Sequence, residues 1–144
     1  MFKTIIVGVD ESDRSRYAAK VAADIAQKYG ADLVLVHAYE PVPRYLGNEM
    51  FENAVEKALT YGEKILEETV KALPEGIVAE TDLLEGPAAN ALLSAAEAHK
   101  ADLIVIGSRG LGELAALALG SVGHKLIQQS PVPVLIVKHG TGEA

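Results

Sequence analysis

Four short runs of consecutive apolar residues dominate the sequence: Thr4-Ile5-Ile6-Val7-Gly8-Val9, Leu33-Val34-Leu35-Val36, Leu103-Ile104-Val105-Ile106 and Val134-Leu135-Ile136-Val137. None alternates apolar with polar positions, so none reads as a strand with one wet face. Each reads as a strand covered on both sides. Parallel strands need long crossovers, and the intervening segments are long enough to supply them as helices.

The first crossover carries Tyr17, Ala18, Val21, Ala22, Ile25 and Ala26 at helical spacing, after a cap at Ser12 or Asp13, and Gly30 ends it. A polar, proline-containing stretch from Glu40 to about Asn48 precedes a long amphipathic helix from about Phe51 to Leu73. Its expected buried stripe is Ala54, Val55, Ala58, Leu59, Gly62, Ile65, Leu66, Val70 and Leu73, opposite a face where Glu67 and Lys71 pair one turn apart. Ile77 to Leu84 is a more polar strand, with Glu80 and Asp82 inside it, and belongs at a sheet edge. Gly86-Pro87 opens an alanine-rich helix to about His99, and Ser121 to Gln129 forms a short helix that Pro131 breaks. The order β-α-β-α-β-α-β-α-β with right-handed crossovers is a single doubly wound α/β domain, its parallel sheet five-stranded with helices on both faces. The domain is expected over 1–138, followed by a flexible tail at 139–144.

Composition narrows the function. No cysteine among 144 residues excludes disulfides, thiolate metal sites and cysteine nucleophiles. A formal charge of −7 disfavours nucleic acid and anionic membrane surfaces as partners. No charge-free apolar run is long enough for a membrane span. The start, Met1-Phe2-Lys3-Thr4, carries no small-residue cleavage site, which gives an expectation of cytoplasmic residence. His37, His99, His124 and His139 show no metal-ligand spacing and read as structural.

In doubly wound sheets ligands bind beyond the carboxyl ends of the strands, where the strand order reverses. After the fourth apolar run comes Gly107-Ser108-Arg109-Gly110, and after nine further residues Gly120-Ser121 opens a helix. Backbone N–H groups at that helix start, with the Ser121 hydroxyl, form an anion site suited to phosphate. Neither Gly-x4-Gly-Lys-[Ser/Thr] nor a Gly-x-Gly-x-x-Gly after the first strand is present, which argues against P-loop NTPases and dehydrogenases.

These residues, with Asp10-x-Ser12 after the first strand and Pro131-Val132-Pro133-Val134-Leu135 at the last, resemble the universal stress protein family over essentially the whole chain. The Gly-x2-Gly-x9-Gly-[Ser/Thr] element resembles that of its ATP-binding branch. The resemblance implies a Rossmann-like sheet of order 3-2-1-4-5, a switch point between Asp10 and Gly107, and ATP (or AMP or ADP) with Mg²⁺ as the ligand. It implies that Asp10 bonds the ribose, although Asp10 could instead cap the helix with Ser12. It sets Val9 and Ala38 against adenine, and Ile106, Gly107, Gly110, Gly120, Ser121 and Val122 around ribose and phosphates. Arg109 would neutralise phosphate or lie solvated on the surface. Gly123 departs from the polar residue common there in relatives. A homodimer through Val132 to Val137 and an unidentified client protein complete the implied picture. The resulting function is an adenine-nucleotide-binding regulatory module of the stress response. The alternatives are a slow ATPase or self-phosphorylating enzyme with Ser108 or Ser121 as acceptor, and a protein-interaction module that binds no nucleotide.

Overall fold

Each apolar run is a strand of one parallel sheet in a computed structural model that describes residues 1–108 and 120–138. The elements are β1 (Thr4–Gly8), α1 (Asp13–Tyr29), β2 (Asp32–Tyr39), a 3-10 turn at Arg44–Leu46, α2 (Asn48–Ala72) and β3 (Ala79–Glu85). They continue with α3 (Ala88–His99), β4 (Leu103–Gly107), α4 (Gly120–Gln129) and β5 (Val134–Val137). The strand order is β3-β2-β1-β4-β5 and every pairing is parallel. The polar strand β3 is at an edge, as its Glu80 and Asp82 predict.

Alternate side chains of the central strands leave for opposite faces. Ile5, Val7, Leu33, Leu35, Leu103 and Val105 pack with α1 and α2, whereas Ile6, Val34, Val36, Ile104 and Ile106 pack with α3 and α4. Two buried faces require apolar residues at consecutive positions, which is why the runs do not alternate.

The helices contact the sheet through small residues. In α1 the fully covered positions are Ala18, Ala19, Ala22, Ala23 and Ala26, while Tyr17, Val21 and Ile25 pack at the margins of the same core. Ser12 caps α1 by accepting from Ser15 N at 3.1 Å, and Gly30 ends it in the left-handed conformation.

Helix α2 differs from its expected form in two ways. It starts at Asn48 rather than Phe51, directly after the turn in which the Arg44 guanidinium lies 4.8 Å over the Phe51 ring. Its buried stripe runs through Gly62, Ile65, Leu66 and Thr69, while Val70 is 37% exposed. Thr69 tolerates burial because its hydroxyl donates back to the Ile65 carbonyl at 2.8 Å. Gly123, the departure noted in α4, is a buried packing position.

Candidate functional site

Chain order reverses between β1 and β4: from β1 the chain moves outward through β2 and β3, then returns to β4 on the other side. The crossovers leaving the two neighbours depart in opposite directions and open a cleft of about 410 Å³ beyond their carboxyl ends. That volume lies within the ordinary range for small-molecule sites.

The β1 wall is a bonded turn. Val9 N donates to the Val36 carbonyl at 2.8 Å and holds the exit of β1 against β2. Asp10 N donates to Ser15 Oγ at 2.8 Å, and Asp10 Oδ1 accepts from Ser12 N at 2.8 Å and Ser12 Oγ at 2.6 Å. One carboxylate oxygen is therefore committed to shaping the turn, and Oδ2 takes no partner among the described residues. Asp10 thus braces Ser12, the residue that caps α1, and leaves an acceptor over.

The β2 wall carries His37 and Ala38. His37 is 7% exposed, and its Nδ1 lies 2.9 Å from the Val9 carbonyl. A carbonyl only accepts, so Nδ1 holds the proton of that bond. Helix α2 crosses above the ring at Gly62, where an added Cβ would stand 2.9 Å from His37 Cδ2 and 2.4 Å from Leu83 Cδ1. The small residue is what lets α2 approach this closely.

The β4 wall holds Ile106, Gly107 and Ser108. Gly107 meets the first turn of α1: a Cβ there would lie 3.0 Å from the Arg14 carbonyl oxygen. This glycine thus has a packing reason independent of any ligand. Ser108 N donates to the Val137 carbonyl at 2.8 Å, whereas its buried Oγ has no hydrogen-bond partner among the described residues. Gly120, with φ +71°, Ser121 and Val122 bring the start of α4 to the cleft, and Ala88 and Leu92 of α3 give it an apolar side. The first N–H groups of α4 lack helical acceptors and lie at the positive end of its dipole.

Every expected site residue within the described range lines this one cleft: Val9, Asp10, Ala38, Ile106, Gly107, Gly120, Ser121 and Val122. Arg109 and Gly110 lie outside the described residues, as do His139 and the expected tail. Arg14, Ser15 and Leu92, which the sequence did not single out, also line the cleft, as does His37, which the sequence reads as structural. His37 was visible as the residue beside Ala38, but Arg14 and Ser15 looked like ordinary first-turn residues of α1. No group of three or more His, Asp or Glu able to hold a metal occurs among the described residues. No described helix is long and apolar enough to cross a membrane.

Residues 1–138 match the model of the universal stress protein family. A Thermus aquaticus protein described as "universal stress protein in QAH/OAS sulfhydrylase 3′ region" is 48% identical over 138 residues, covering 96% of this chain and 100% of the relative. The universal stress protein YxiE of Bacillus subtilis is 36% identical over 152 residues, covering 96% of this chain and 100% of its own. Among solved structures, a universal stress protein in complex with cAMP matches with a TM-score of 0.73 and 31% identity, over 94% of this chain and 97% of that one.

Proposed function

The chain belongs to the universal stress protein family, and we propose that it acts there as an adenine-nucleotide-binding regulatory module. The observation that carries this reading is the cleft at the switch point, with the N-terminus of α4 on one wall and the spare Asp10 oxygen on another. A nucleotide matches that polarity: phosphates want backbone donors and a positive dipole end, a ribose diol wants a carboxylate, and a base wants an apolar slot. The similar protein whose solved structure contains cAMP adds support.

The proposed ligand is ATP, with AMP or ADP as variants. Phosphates would lie along Gly107-x2-Gly110-x9-Gly120-Ser121 with Arg109 beside them, the ribose against Asp10 and Ile106, the base between Val9 and Ala38, and Val122 below. Mg²⁺ would arrive with the phosphates, since they would supply most of its ligands. Binding rather than turnover is favoured because His37, the imidazole of the cleft, is turned to the Val9 carbonyl and buried there. The reading extends to a homodimer paired through 132–137, acting on a client protein in the cytoplasm.

Calorimetric titration of nucleotide-stripped protein with Mg-ATP is the test. Micromolar or tighter binding near one site per chain is the expected result, with phosphate release that stops at or below one equivalent. Heat indistinguishable from buffer would sink the nucleotide reading. Sustained release that Ser121→Ala abolishes would replace the regulatory reading with a slow ATPase.

A further inference from the structure

Arg14 is the one arginine or lysine among the described residues lining the cleft. It is the second residue of α1, at the positive end of the helix dipole, where a guanidinium is repelled. Arg16, two residues on, offsets a similar cost by pairing with Asp13 and donating to the Glu11 carbonyl at 3.1 Å. Arg14 makes no hydrogen bond or ion pair with any described residue.

Its backbone is not free to carry the charge elsewhere. The Arg14 carbonyl lies against Gly107 at the end of β4, which roots the side chain beside the cleft. A second group there is also short of a partner: Ser108 is 4% exposed and its Oγ is unbonded among the described residues. Asp10 and Glu11, meanwhile, add negative charge to the same lining. A cation and a buried hydroxyl, both without partners among the described residues, thus stand beside two carboxylates that repel phosphate, and the cation is the side chain that can offset that repulsion.

We infer that Arg14 is the residue by which this cleft distinguishes a phosphorylated nucleoside from an unphosphorylated one, through charge-assisted hydrogen bonds to phosphate oxygens. The inference rests on the nucleotide reading above and deepens it by naming what sets the preference for phosphate.

The experiment titrates wild type, Arg14→Ala and Arg14→Lys with adenosine, AMP and Mg-ATP at two ionic strengths. In Arg14→Ala the adenosine Kd is unchanged while AMP and ATP bind about 10- to 50-fold more weakly, with a shallower salt dependence. Arg14→Lys recovers part of the loss. The unliganded Arg14→Ala protein melts at the same temperature or about 1–3 °C higher, because a cation has left a helix N-terminus. Unchanged ATP affinity overturns the inference. So does an equal loss for adenosine and ATP, or a lower melting temperature, either of which marks a structural role. A wild type that binds none of the three ligands removes the nucleotide reading and the role of Arg14 with it. That result is distinct from a wild type that binds and a variant that binds equally well.

Discussion

Lys100 ends α3 at φ 54° and ψ 45°, the only described residue other than glycine with positive φ. Its N–H satisfies the Ala96 and Glu97 carbonyls, which is the bonding a C-terminal glycine supplies at Gly30 after α1. A side chain costs about 1–2 kcal/mol in that conformation, and glycine gives back part of the difference through a looser unfolded chain. Lys100→Gly is therefore expected to stabilise by about 0.5 kcal/mol and to raise Tm by about 1–3 °C in a thermal melt. A lower Tm would show that the lysine contributes more through the helix dipole than it loses in strain. At this scale the site was legible unevenly. Glycines and a serine at a helix start announce themselves because few backbones need them, so Gly107, Gly120 and Ser121 stood out. Arg14 did not, because an arginine in a first helical turn looks like solvated surface until Gly107 is seen against its carbonyl.

At the scale of elements, the sheet is closed at its amino end by a contact that no periodicity reveals. The Asp102 carboxylate accepts from Lys3 N at 2.9 and 3.0 Å and from Thr4 N at 3.2 Å, tying the start of β1 to the residue before β4. Asp102 N donates in turn to the Thr4 carbonyl at 3.0 Å. The N–H groups lie near water and can be rehydrated, so Asp102→Ala is expected to cost only about 1 kcal/mol by denaturant unfolding. Because this end of the sheet is opposite the cleft, nucleotide affinity should stay within about twofold of wild type. A tenfold loss of affinity with little change in stability would show that the two ends are coupled. Element types were readable because two-sided burial forces consecutive apolar residues, while boundaries and stripes were less so. Helix α2 begins at Asn48, ahead of its apolar stripe, where no periodicity marks the start, and counting only apolar residues favours Val70 over Thr69, whose hydroxyl is satisfied by its own helix.

For the whole molecule, consecutive apolar runs and helical crossovers were enough for a doubly wound sheet, and the polar β3 was enough for one edge. The other edge is the apolar one. In β5, Val134, Leu135 and Ile136 are half-buried, with Val132 just before them, and β4 is the only described strand that β5 pairs with. An apolar edge with an unused row of backbone donors and acceptors invites another strand. A second copy of β5 running antiparallel would satisfy that row and cover Leu135 and its neighbours on both chains, the closed two-fold arrangement expected of a homodimer. Light scattering at micromolar concentration should then give about twice the chain mass of 15.2 kDa. Leu135→Lys should halve that mass, since a lysine on an edge strand opposes pairing by charge and by desolvation. Leu135 also packs partly against its own core, so the variant's thermal melt must remain cooperative for the lower mass to report assembly rather than unfolding. A monomeric wild type, or a folded Leu135→Lys protein that keeps the doubled mass, would remove β5 as the pairing edge. If instead the variant is a folded monomer that still binds Mg-ATP at the wild-type Kd, each chain carries a complete cleft, and pairing is not needed to build it.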